Sequence, residues 1–136
     1  EIKQKFDVVV HLVRNPLQQI SSALTIGQDP NTWKHIYKNV NEINDRQHKT
    51  LRLMKYWYHW NLMTEKICDV RWKLENIKED FESFIRKEFD KKDVIFKNQK
   101  INSRNHKQIT VGDMREHDPL LLKLIFDLAK RYEYKI

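Results

Sequence analysis

Glycine is scarce in this sequence. There are two, Gly27 and Gly112, separated by most of the chain. A loop that cradles phosphate through its backbone needs several glycines close together, so that successive N–H groups can approach the anion. These 136 residues contain no such loop. Cysteine is scarcer still. Cys68 stands alone, which excludes an intramolecular disulfide and leaves no thiolate cluster for a metal. A single free thiol is compatible with a reducing compartment. No apolar run approaches the roughly 18 residues that a membrane span needs. The opening Glu1-Ile2-Lys3-Gln4-Lys5 lacks the apolar stretch of a secretory signal. The first residue is Glu, not Met, as expected if the chain starts inside a longer gene product or has lost a leader.

What is present describes a globular chain. Hydrophobic residues make up 40% and charged ones 33%, too apolar a balance for a disordered segment. Lysine and arginine number 26 against 19 acidic residues, a net charge of +7. That balance favours anionic partners such as nucleotides, nucleic acids or phosphorylated and sulfated molecules. The same charge also fits a simple solvated basic surface.

The three prolines each follow Asn or Asp, in Asn15-Pro16, Asp29-Pro30 and Asp118-Pro119. A capping side chain followed by proline at the first helical position marks a helix start. Before the first of them runs Phe6-Asp7-Val8-Val9-Val10-His11-Leu12-Val13, which is β-branched, apolar and short. Its continuity predicts a strand of a mostly parallel sheet, covered on both faces. After Pro16, Leu17, Ile20 and Leu24 recur at helical spacing, while Gln18, Ser22 and Thr25 share a polar face. Gly27 suits the end of that helix.

A second helix is predicted from Asp29 towards Val40 or Ile43, with Trp33, Ile36, Tyr37 and Val40 inward. A third covers about Arg46 to Cys68, with a stripe of Leu51, Met54, Trp57 and Tyr58, and Asn61 in line. Asp69–Leu74 alternates as a short strand. Lys78 to Phe89 reads as a helix with Phe81, Phe84, Ile85 and Phe89 inward. Residues 90–110 are polar and basic and read as a long loop. A last helix runs from Pro119 to about Arg131 on Leu121, Leu122, Ile125, Leu128 and Ala129. The expected class is α/β, mostly helical, with two or so parallel strands. So few strands among so many helices suit one side of a larger sheet.

His11-Leu12-Val13-Arg14-Asn15-Pro16, followed by Ser22 eight residues after Arg14, resembles the 3′-phosphate motif of sulfotransferases that use 3′-phosphoadenosine 5′-phosphosulfate (PAPS). Further likenesses follow in that family's order. They are Tyr56-Trp57-Tyr58-His59-Trp60-Asn61, then Arg71-Trp72-Lys73-Leu74-Glu75-Asn76-Ile77, then Asn102-Ser103-Arg104 with His106 and Ile109 to Met114. The close Leu128-Ala129-Lys130-Arg131-Tyr132-Glu133-Tyr134 is similar to the family's Leu-Ala-x-x-Tyr-Gly-Tyr, with Glu133 in place of Gly.

The resemblance implies that residues 1–136 are the C-terminal portion of a P-loop-like sulfotransferase domain. It implies that Arg14 and Ser22 hold the 3′-phosphate of the nucleotide, with Arg104 as a further cofactor contact. The acceptor would be a hydroxyl or amine on a carbohydrate, small molecule or protein. The family's Lys/Gly/Ser/Thr-rich loop for the 5′-phosphosulfate is not among these residues, and neither is the region that commonly supplies its catalytic base.

The chemistry of such a site is straightforward. A strand ending at a helix start delivers its last side chain to the sheet edge where open α/β folds bind ligands. Arginine there offers a planar fork of donors matched to phosphate oxygens. Ser22 lies about two helical turns on, roughly 9 Å along the axis, so the phosphate would sit beside the helix and not on its tip. Two other classes remain open to the sequence: a basic helical nucleic-acid-binding module, and a non-catalytic interaction domain. No named nucleic-acid motif is present, and the basic residues gather on no single helix. The Arg115-Glu116-His117-Asp118 run has no metal-ligand spacing, and Asp118 reads as a helix cap.

Overall fold

The computed structural model of the chain describes residues 6–25, 29–89 and 108–136. The chain divides into two compact units. One comprises residues 1–14 and 67–104, the other residues 15–66 and 105–136. The architecture is mostly helical with two parallel strands.

The first unit holds strands β1 (Val10–Val13) and β2 (Val70–Lys73), a short 3-10 turn (Leu74–Asn76) and helix α4 (Ile77–Phe89). The strands pair in parallel, with Val10 opposite Val70 and Val13 opposite Lys73. Asp69 pins the start of the ladder. Its carboxylate accepts the Val9 N–H at 2.9 Å, and its own N–H donates to the Val9 carbonyl at 2.8 Å.

His11, opposite Arg71, is buried as expected, and its Nδ1 faces the Arg71 Nε at 3.5 Å. Strand β1 does not have the two covered faces that its continuity predicts. Val13 is sealed, but Leu12, pointing the other way, is 46% exposed. Period-two geometry puts neighbouring side chains on opposite faces, and among the described residues of this unit the sheet has only two strands. Helix α4 packs against β2 through aromatic edges: Trp72 meets Phe81 and Phe84 at 6.3 and 5.5 Å between ring centres. Phe81, Phe84 and Ile85 are half-buried and Phe89 is exposed, so the inward stripe is shallower than its spacing implies and ends before Phe89.

The second unit is all helix: α1 (Pro16–Thr25), α2 (Pro30–Asn39), α3 (Lys49–Glu65), α5 (Val111–His117) and α6 (Pro119–Arg131). Helix α3 lies at its centre and touches α1, α5 and α6. Its buried stripe is Thr50, Leu53, Met54, Trp57 and Asn61, spaced i, i+3, i+4, i+7 and i+11. Leu51 and Tyr58, expected inward, are only half-buried. The stripe is rotated to take in Thr50 and Leu53. The helix is also shorter than predicted, because His48 caps its start, with Nδ1 accepting from the Thr50 N–H at 3.3 Å.

Trp57 anchors the core at 1% exposure, its ring 6.2 Å from that of Tyr132. On α2, Trp33 and Ile36 are buried, Tyr37 is half-buried, and Val40 and Ile43 are buried beyond the helix end. Asp29 precedes Pro30 as predicted but makes no capping hydrogen bond with its side chain. Burial raises the Tyr56 hydroxyl above its ordinary value. Its ionisation is disfavoured in the fold, so this residue's contribution is full below about pH 10 and is lost as pH climbs beyond that.

Helix α6 matches expectation closely. Leu121, Leu122, Ile125, Leu128 and Ala129 are the buried set, and Asp118 accepts the Leu121 N–H at 2.8 Å. Helix α5 was not anticipated. It is set by Thr110-Val111-Gly112-Asp113, where Thr110 Oγ1 accepts the Asp113 N–H at 3.1 Å and Asp113 accepts the Thr110 N–H at 2.8 Å. That reciprocal pair is a capping box. Gly27 lies outside the described residues.

The end of α6 is closed by backbone hydrogen bonds. Glu133 N–H donates to the Lys130 carbonyl and Tyr134 N–H to the Ala129 carbonyl, at 2.8 and 3.0 Å. These are the two bonds of a Schellman motif, which requires a left-handed residue after the cap. Glu133 occupies it with φ 60°. Glycine would suit this position, because it carries no Cβ penalty there. Glu133→Gly is expected to raise stability by about 0.5–1 kcal/mol, and Glu133→Val to lower it. Urea unfolding of the two variants checks both signs.

Candidate functional site

The site suggested by the sequence begins where β1 stops. Arg14 follows Val13 directly and is half-buried. It closes the first stretch of the sheet-bearing unit, and Asn15 opens the helical one. The turn between strand and helix is short because Asn15 caps α1 at once. Its Oδ1 accepts the Leu17 N–H at 3.0 Å and the Gln18 N–H at 3.4 Å. Its carbonyl accepts the Gln19 N–H at 2.9 Å, and Pro16 has no N–H to offer.

The tip of α1 is therefore closed by its own residues. An anion nearby would feel the positive end of the helix but find no free backbone donor at the first three positions. The start of α1 itself offers such an anion no backbone hydrogen bond.

The two adjacent serines have opposite fates. Ser21 is fully buried. Its Oγ donates to the Leu17 carbonyl at 2.6 Å and accepts the Ile109 N–H at 2.8 Å. It thereby ties α1 to the segment that enters α5, and its hydroxyl has nothing left to give a ligand. Ser22 is half-buried, and among the described residues its hydroxyl makes no hydrogen bond. It shares the polar side of α1 with Gln18 and Thr25, both exposed. The family resemblance singles out Ser22, since the motif it implies places a serine eight residues after the arginine. The structure adds that it is also the serine whose hydroxyl is unspent.

Arg14 and Ser22 belong to different units. Arg104, the third residue expected to touch a cofactor, lies outside the described residues, as do His106 and Lys107. Asp118, in the run considered for a metal, is taken up as the cap of α6. Cys68 is half-buried and forms no disulfide. Tyr56, the titrating group held above its usual range by burial, lies on α3 beside Trp60, with ring centres 5.4 Å apart.

Polar residues to which the sequence assigned no ligand gather elsewhere in the helical unit. Thr50 and Gln108, with Glu116 and His117 of α5, line an open cleft. The Thr-x-x-Asp signature at 110–113 was the legible sign that a helix starts there and carries Glu116 and His117 with it.

No family model, no curated protein and no solved structure matches this chain.

The two serines make a clean contrast. Ser21→Ala leaves the buried Ile109 N–H without a partner and is expected to cost about 1–3 kcal/mol. Ser22→Ala should change stability by less than about 0.5 kcal/mol, the usual range for a side chain outside such a feature. Thermal or urea unfolding of both variants separates a structural serine from one free for another role.

Proposed function

We propose that this chain is the C-terminal portion of a PAPS-dependent sulfotransferase and that it carries the half-site for the 3′-phosphate of the nucleotide. In this reading Arg14 supplies a fork of charge-assisted donors to the phosphate oxygens. Ser22 supplies one hydroxyl hydrogen bond from the polar side of α1. The observation that carries the reading is the unspent Ser22 hydroxyl beside the spent Ser21, at the interval from Arg14 that the family motif uses. Two further features support it. Strands β1 and β2 pair in parallel, as an α/β nucleotide-binding sheet requires, and Glu133 holds the left-handed backbone where the family has glycine.

The reaction would pass the sulfuryl group from PAPS to an acceptor oxygen or nitrogen. The acceptor attacks sulfur in line, the S–O bond to the nucleotide 5′-phosphate breaks, and a base takes the acceptor proton. Arg14 and Ser22 would fix the nucleotide's register and thereby the position of its reactive end, contributing orientation and not bond-making. Groups that neutralise the charge developing on the bridging oxygen would lie outside the 136 residues, as would the 5′-phosphosulfate loop.

Calorimetric titration with adenosine 3′,5′-bisphosphate tests the proposal. The chain should bind it, and Arg14→Ala should weaken binding roughly 10- to 150-fold, the worth of about 1.5–3 kcal/mol for a charge-assisted contact. Absence of binding by the unaltered chain would overturn the reading. So would affinity that is indifferent to Arg14 but falls steeply with salt, the behaviour of generic polyanion binding.

A further inference from the structure

Within the helical unit, an open cleft of about 360 Å³ lies among the C-terminal end of α1, the first turn of α3 and helix α5. This is at the lower end of the range, about 300–1,000 Å³, in which small-molecule sites fall. Leu24 and Ile109 give it an apolar floor. Two of its polar residues are already committed. Asp113 Oδ2 accepts both the N–H and the hydroxyl of Thr110 at 2.8 Å, and Thr25 Oγ1 donates to the Ser21 carbonyl at 3.1 Å.

Four are not committed. Thr50 is 6% exposed, so its residue is almost wholly enclosed. Its hydroxyl makes no hydrogen bond among the described residues and stays open to the cleft. The side chains of Gln108 and Glu116 make no hydrogen bond or ion pair there either. The His117 ring stacks on that of His48, 4.3 Å between centres, which fixes its plane but uses neither nitrogen. A hydroxyl that is open to a cleft and not bonded within the protein can donate to an occupant and accept from it. Thr50 meets this cleft and no protein acceptor.

The mix of groups decides the class of occupant. An anion would need donors throughout, and Glu116 and Asp113 oppose it. A cation would need acceptors throughout, but the Gln108 amide, the Thr50 hydroxyl and the His117 ring all have N–H or O–H groups to place. Lys49 also adds a fixed ammonium, bonded to the carbonyl of the lining residue Leu24 at 2.7 Å. A ligand hydroxyl both donates and accepts, so it can satisfy each of these groups in turn. A ring carrying several hydroxyls on one face and C–H groups on the other would also use the Leu24 and Ile109 floor.

We propose that this cleft binds a neutral, hydroxyl-rich ring, a monosaccharide or cyclic polyol. Glu116 and Gln108 would hold ligand hydroxyls at the rim, and Thr50 would reach one from below. The inference uses residues of the helical unit alone and stands whether or not Arg14 and Ser22 bind a nucleotide.

The test is amide-resolved NMR of the full chain during titration with glucose, galactose, mannose, N-acetylglucosamine and myo-inositol. At least one is expected to give saturable shifts centred on the amides of Gln108, Ile109, Glu116 and His117. Thr50→Val, which keeps side-chain shape, and Glu116→Gln, at an exposed position, should each weaken that binding roughly 2- to 10-fold while leaving distant amides in place. The proposal is overturned if all five probes give only linear, unsaturable shifts. It is equally overturned if sodium phosphate or spermidine saturates these amides and the sugars do not, or if both variants bind as tightly as the unaltered chain.

Discussion

The hydroxyl of Ser21 sets the orientation of everything built on α1. It is sealed between the Leu17 carbonyl and the Ile109 N–H, so one face of the helix is held against the segment that leads into α5. A residue one position along an α-helix points about 100° away. With Ser21 committed inward, Ser22 turns towards the polar side shared by Gln18 and Thr25. The same bond also satisfies a buried backbone donor that no helix or strand ladder serves, a group whose loss of partner is costly. A single serine thus couples the packing of the helical unit to the availability of its neighbour.

The tip of α1 is closed by its own first residues, independently of Ser21. Asn15 and Pro16 leave no spare N–H at the first three positions, so the helix offers potential but no backbone bonds to an anion. A chain with two glycines cannot build a backbone cradle in its place. Recognition of a phosphate by these residues would rest on side chains. An arginine fork and a hydroxyl are the economical pair for that task.

Much of the fold was legible in the sequence where two signals agreed. For α6, a capping Asp118, a proline at the first position and a clean apolar period all point the same way, and the buried set is the one the spacing names. Helix α3 was harder. Tyr56, Trp57, Tyr58 and Trp60 put large rings on every side, so the period blurs, and Thr50 takes a core position that polarity argues against. Helix α5 buries Met114 alone, too little for hydrophobic periodicity to register, and only its capping box betrays it. Strand β1 reads as covered on both faces because valine and leucine fill it, but Leu12 is open. The choice of Ser22 over Ser21 followed from the interval in the resembled family motif. The reason it is available, the bond from Ile109 to Ser21 across 88 residues, is a tertiary contact that no local pattern carries.

If Arg14 and Ser22 form the proposed half-site, the chain holds the nucleotide's 3′-phosphate and not its 5′ end. Phosphorus NMR of adenosine 3′,5′-bisphosphate distinguishes the two directly, because each phosphate has its own resonance. On titration with the chain, the 3′ signal is expected to move to saturation while the 5′ signal stays near its free position, and Ser22→Ala should reduce the 3′ displacement. Movement of the 5′ signal alone, or of neither, would contradict the account.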